Sequence, residues 1–194
     1  MSEEPLALAV IIGSVRSGRL GEKVGAWFAR QVELHPDFDL DLIDLVDHPL
    51  PVRMPNHGDT LAPEIEEVRT ALASRIARAD AYVVITPEYN HSFPASLKNA
   101  IDWHLAEWAA KPVGLVSYGG MAGGLRAAEH LRQVFAELHA PTVREMLSFH
   151  NPWSDFEDGG APEGADVAAK KLLDQLLWWG EALRTARRTT PYQR

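Results

Sequence analysis

The chain has no cysteine in its 194 residues, which excludes disulfides, thiolate metal sites and any cysteine-based redox step. Redox chemistry would therefore need a borrowed cofactor. Positive charge is also short: 19 lysines and arginines face 27 acids, for a net charge of -8. General nucleic-acid binding needs a basic footprint and is not expected. Long apolar runs are missing too, since none reaches the ~18 residues of a membrane span. The first residues carry acids (Glu3, Glu4) where a secretory signal would carry positive charge. The eight histidines show no H-E-x-x-H or other metal spacing, so no metal site is expected. These absences leave a cytoplasmic, single domain spanning 1–194, a length ample for one core and short for two.

What is present is a regular alternation. Leu6 to Ile12 is a continuous apolar run ended by Gly13, as expected of a strand buried on both faces. The spacing predicts a helix from Leu20 to Leu34, and a second strand, near an edge, over Phe38 to Leu45. A proline-rich connection over 46–63 is long for a compact domain and a candidate for function. A helix over 63–78 and a strand over 81–86 follow. One helix is predicted from Pro94 to Trp108, with Pro94 in its first turn. A strand over 112–117, a helix over 125–138, a strand over 142–149 and a last helix from about Asp166 to Arg187 complete the pattern. Strands alternating with helices call for a three-layer α/β sandwich with right-handed crossovers. Five strands suggest a parallel sheet of order 2-1-3-4-5, although periodicity alone does not fix that order.

Ligands of open α/β sheets bind beyond the carboxyl ends of the strands. Three strands here end in unusual loops, and the proposed order would bring all three to one edge. Gly13-Ser14-Val15-Arg16-Ser17-Gly18-Arg19 crowds two serines and two arginines into one turn before a helix start, a phosphate-binding composition. It is neither a dinucleotide G-x-G-x-x-G fingerprint nor a P-loop, so a mononucleotide phosphate suits it better. Pro87-Glu88-Tyr89-Asn90-His91-Ser92 offers a flat aromatic and a segment that could run along the edge of a ring system. Its Asn90 or Ser92 could equally cap the next helix. Ser117-Tyr118-Gly119-Gly120-Met121-Ala122-Gly123-Gly124 holds four glycines in its last six residues, which would let backbone approach a ligand closely.

At these loops the chain resembles the NADPH-dependent FMN reductase family of the flavodoxin-like superfamily. The resemblance rests on GSVRSGR, on TPEYNHSFPASLKNAIDW from Thr86 to Trp103, and on SYGGMAGGLRAAEHLR from Ser117 to Arg132. It implies a flavodoxin-like sandwich holding FMN without a covalent bond. Ser14, Arg16 and Arg19 would hold the phosphate with Ser17 close by. Pro87, Glu88, Tyr89 and Asn90 would line the isoalloxazine, and Ser117, Gly119 and Gly120 would border its other side. NADPH (or NADH) and a small acceptor such as a quinone would use the flavin in turn, with ping-pong kinetics and no catalytic side chain in the strict sense. Family members are dimers or tetramers, with the helix after PEYN commonly in the dimer contact. The run Ser17-Gly18-Arg19-Leu20-Gly21 departs from the family's frequent Ser-x-Asn and leaves the partner of Arg19 open.

The other striking side chains read as ordinary. His91 and His104 fit solvated positions, Asp102 and Glu107 near Lys98 and Lys111 fit helix-surface charges, and Trp178-Trp179 fit packing. Trp103 or Trp108 could be buried at an interface between copies. A single-electron carrier of the same fold is the competing class, and a phosphate-ligand module without redox activity the third.

Overall fold

The computed structural model describes residues 4–56 and 58–193. Glu3, one of the two leading acids, and His57 of the proline-rich connection lie outside the described residues. Five parallel strands form one sheet in the order β2-β1-β3-β4-β5. They are β1 (Leu6–Ile12), β2 (Phe38–Asp44), β3 (Ala81–Pro87), β4 (Val113–Gly119) and β5 (Thr142–His150). The helices are α1 (Gly21–Glu33), α2 (Pro63–Arg78), α3 (Ala95–Asp102), α4 (Leu125–Glu137) and α5 (Ala165–Thr189).

The period-2 geometry of a strand explains the three layers. Leu6, Leu8 and Val10 of β1 face α1 and α5 in a core with Trp27, Phe28 and Leu172. Ala9 and Ile11 point the other way, into a second core with Leu72, Ile76, Leu97, Leu131 and Phe135 from α2, α3 and α4. The central strands β3 and β4 are buried along their full lengths, which is why they read as unbroken apolar runs. Each edge strand has backbone acceptors covered by an arginine from a flanking helix. Arg75 of α2 donates to the Leu42 carbonyl of β2 (2.8 Å). Arg132 of α4 donates to Val143 and Arg144 of β5 (2.8 and 3.3 Å), beside a register shift between β4 and β5. Both edges are thereby blunted against further strands.

The predicted helix from Pro94 to Trp108 is shorter in the structure. It ends at Asp102, and a short 3-10 turn holds Ala106–Trp108. The break lets two tryptophans find different places. The Trp103 indole donates to the Pro51 carbonyl (3.0 Å), while Trp108 enters the second core against Tyr82 and Phe135. Both are buried within one chain, so neither is left over for a contact between copies. Trp178 and Trp179 differ from expectation as well: they are exposed on α5 and pack edge-to-face on each other. His104, expected in solvent, is buried with neither ring nitrogen partnered.

Candidate functional site

Strand order decides where the loops meet. With β1, β3 and β4 adjacent and parallel, the segments after Ile12, Pro87 and Gly119 leave the sheet side by side at its carboxyl end, as expected of a binding crevice.

The first loop is anchored at its start and open in its middle. Gly13 donates to the Ile85 carbonyl (2.9 Å) and accepts from the Ser96 hydroxyl of α3 (2.8 Å). A Cβ on Gly13 would come within 3.3 Å of that same Ile85 oxygen, so the close approach of β1 and β3 asks for glycine. Ser14 is buried, and its hydroxyl shares a 3.0 Å hydrogen bond with the Tyr89 hydroxyl, tying the first loop to the second. Val15 to Gly18 are exposed. The amides of Val15, Ser17 and Gly18 find no acceptor among the described residues, and the Arg16 guanidinium is likewise without a partner there. Free amides, a free guanidinium and the start of α1 make an anion cradle.

Arg19 is placed differently. Its guanidinium donates to both carboxylate oxygens of Asp44 at 2.6 Å, to the Ser14 carbonyl at 2.6 Å, and to Glu22. Burial pulls its pKa down, but Asp44 and Glu22 outweigh that and hold it above the ordinary value. The side chain thus braces the loop against the end of β2.

The second loop makes a two-residue hairpin. Tyr89 and Ser92 exchange backbone hydrogen bonds of 2.8 and 3.0 Å, and Asn90 (φ 47°) and His91 (φ 75°) are both left-handed. This is the pattern of a tight primed turn, in which asparagine is at home and histidine tolerable. Glu88 is fixed from α4: its carboxylate accepts from the Arg126 amide (3.2 Å) and guanidinium (2.9 Å). His91 is exposed, as expected, and His130 meets the Ser92 hydroxyl at 3.0 Å.

The third loop is held from beneath. The Gly123 carbonyl accepts from the Ser117 and Ser148 hydroxyls (3.0 and 2.9 Å), and the Gly119 carbonyl from the Asn151 amide (2.8 Å). Gly123 and Gly124 have φ of 57° and 86°, and side chains there would strike His150 and Ser117 at 2.5 and 2.6 Å. Gly119 is crowded by Glu88 and Gly124, whereas Gly120 is open except toward Asn151. Ser117 is fully buried, so its side chain serves the loop. Burial pushes the Tyr118 hydroxyl well above its ordinary pKa, keeping it protonated beside Ser14 and the amide of Gly21.

The proline-rich connection is pinned to α3 by Asn99, which donates to the Leu50 carbonyl (2.8 Å), and by Trp103. A cleft of about 410 Å³ opens between them, reaching Val15 of the first loop. Eight of the eleven expected site residues therefore lie on the three loops at one end of the sheet, and Pro87, Ser117 and Gly119 lie in the last three residues of β3 and β4 that lead into them. Sequence reasoning did not single out Ser96, Ser148 and Asn151, which hold those loops through backbone groups, or Arg126, which holds the Glu88 carboxylate. Ser96 and Arg126 lay within conspicuous motifs, and Ser148 and Asn151 did not.

Sheet order, crevice and loop chemistry define a flavodoxin-like α/β protein with a mononucleotide site. The profile of the NADPH-dependent FMN reductase family matches residues 6–154. The chain is 38% identical over 141 residues to an NAD(P)H-dependent FMN reductase of Schizosaccharomyces pombe, covering 70% of each. It is 31% identical over 184 residues to a probable NADPH:quinone oxidoreductase of Oryza sativa subsp. japonica, covering 91% of this chain and 88% of that one. Among solved structures it is similar to the flavoenzyme NAD(P)H:(acceptor) oxidoreductase FerB of Paracoccus denitrificans, with a TM-score of 0.68 and 26% identity over 91% of this chain and 98% of that one. The chain belongs to the NADPH-dependent FMN reductase family.

Proposed function

We infer that the chain is an NAD(P)H-dependent FMN oxidoreductase that reduces small acceptors such as quinones. The observation that carries the reading is the anion cradle of unpartnered amides and Arg16 beside two loops held rigidly from below. The relatives' names supply the direction of the chemistry. Bound FMN would accept a hydride from NAD(P)H and return two electrons to the acceptor.

The chain's own residues position that exchange. Arg16, Ser17 and the amides of Val15, Ser17 and Gly18 hold the phosphate. Ser14 and Arg19 act mainly by shaping the loop, the first through Tyr89 and the second through Asp44. Pro87 to Asn90 would line one side of the ring and Gly119 and Gly120 would border the other, largely with backbone, while Ser117, expected beside them, is fully buried and supports the third loop from beneath. Backbone amides of the loops, or Arg16, would favour negative charge on a bound flavin. No side chain is needed as a nucleophile. One site serves both substrates in turn, which gives ping-pong kinetics.

The protein is read as cytoplasmic and as a homodimer or homotetramer. No described helix is long and apolar enough to cross a membrane. Val46, Val52, Met54 and Leu105 are exposed on the segments around α3, which supports assembly through that side; sedimentation will measure it. The function is tested by mixing FMN-loaded protein with NADPH under anaerobic stopped flow. Rapid bleaching, reversed by a quinone, is expected. Flavin that NADPH leaves oxidised, but that takes single electrons from dithionite, would make the chain an electron carrier instead.

A further inference from the structure

At the opposite, amino end of the sheet lies a cavity of about 630 Å³, between the starts of β1 and β3 and the last turns of α2 and α5. Five cations line it: Arg78, Lys111, Arg184, Arg187 and Arg188. The lining carboxylates are three, Glu4, Asp39 and Asp80. That excess of positive charge stands out in a chain of net charge -8. Lys111 and Arg184 are each only 7% exposed.

The hydrogen bonds leave this charge under-compensated. Lys111 gives two of its three protons to the Ile76 and Ala77 carbonyls (3.1 and 2.7 Å) and touches no carboxylate. Arg184 donates to the Pro5 and Glu4 carbonyls, and Arg187 to the Ala110 carbonyl. Among the described residues Asp80 meets Arg184 at 3.4 Å and Arg187 at 2.8 Å, and Arg78 is turned to Asp41 at 3.0 Å. Arg188 makes no hydrogen bond or ion pair with the described residues.

The carbonyls at the ends of α2 and before β4 explain why cations gather here. They do not neutralise them, because a carbonyl carries no net charge. Burial, and next the charge of Arg187, bring the Lys111 pKa down to about 8, with Asp80 and Glu107 opposing. Arg187 is lowered too, by burial first, despite Asp80. Buried cations without matching anions are costly, and a bound anion would offset that cost.

We propose that this cavity is an oxyanion site of the phosphate or pyrophosphate class, held by Lys111, Arg187 and Arg188 and separate from the flavin crevice. Its remaining lining is alanine and proline with no aromatic face, so it suits a bare oxyanion better than a nucleotide base. Lys111 stays charged when the anion is bound, and binding near pH 8 takes up protons.

The test is calorimetric titration of the protein with inorganic phosphate and with pyrophosphate at pH 8, in excess FMN to fill the phosphate loop. Paired buffers of different ionisation enthalpy report the protons. Saturable binding with proton uptake is expected. Lys111→Met should weaken it about tenfold or more and abolish the uptake. Arg188→Glu, at the exposed rim where folding is not at stake, should weaken it several-fold. No saturation by about 10 mM would overturn the site. So would affinity unchanged in both variants, or binding that disappears when FMN is in excess.

Discussion

At the carboxyl end of the sheet Arg16 stands in water beside amides with no acceptor, whereas at the amino end Lys111 and Arg184 are buried against carbonyls. The two ends also differ in backbone. Asn90, His91, Gly123, Gly124 and Asn151 are left-handed around the carboxyl-end loops. At the amino end Ala110 and His139, ahead of β4 and β5, are left-handed too, but the charged groups there sit on strand starts and helix ends. One end stores its readiness in loop conformation and the other in buried charge. A change of shape should therefore break the first, and a change of protonation the second.

The sharpest break in shape is Gly124→Val. Its side chain would meet Ser117 Cβ at 2.6 Å and the Tyr118 nitrogen at 2.7 Å, at a φ of 86°. Left-handed strain of about 1–2 kcal/mol and overpacking of about 1–3 kcal/mol should together lower urea-measured stability by about 2–5 kcal/mol, with loss of FMN binding. Gly164→Ala is the control: its φ is 77°, but nothing lies within 4 Å, so strain alone should remain, about 1 kcal/mol. Equal losses in the two variants would mean that packing under the glycine loop does not matter.

The next comparison lies within one loop. Arg16→Ala should weaken FMN about tenfold or more, since a charge-assisted hydrogen bond is worth about 1.5–3 kcal/mol, and leave stability within about 0.5 kcal/mol. Arg19→Ala should reverse the balance. It leaves the Ser14 carbonyl without its donor and Asp44 with only the Val46 amide, at about 1–3 kcal/mol of stability, and affects FMN through loop shape. Fluorescence titration beside thermal melting separates the two. Loss of affinity in Arg19→Ala with unchanged stability would make that side chain a direct phosphate ligand.

The carboxyl end was legible in the sequence because its signals are contiguous. Glycines, serines and PEYN each sit within a few residues, and strand alternation carried them to one edge in the order that Ala81–Pro87 and Val113–Gly119 confirm. What single-chain spacing could not give was the use of each donor. Asp44, which holds Arg19, lies 25 residues away, and Arg126 reaches Glu88 across 38. The break after Asp102 was hidden for a related reason: its cause is the separate burial of Trp103 and Trp108 by distant partners, against good local helix pattern. The amino-end cavity gave no local signal at all, because Lys111, Arg184 and Asp80 meet only through topology.

The smallest expected effect extends the amino-end rule to a histidine. His104 follows α3 after the helix has run back from the carboxyl end, and both its ring nitrogens are buried without partners. Burial first, then Arg69 and His48, hold its pKa below the ordinary value, with Glu107 opposing. The folded chain thus keeps it neutral where the unfolded chain, with a pKa near 6.5, takes a proton. Stability from this group is complete above about pH 6.5 and falls as pH drops from there toward the folded value. His48 is lowered too, by burial and then Arg75, and adds a slope of the same sign. His104→Phe should remove only its own share, up to about 1 kcal/mol per pH unit, so urea stabilities of variant and parent should diverge between pH 7 and 5.5. Parallel curves would mean that the buried imidazole is protonated in the fold, and that the amino end tolerates an uncompensated charge there.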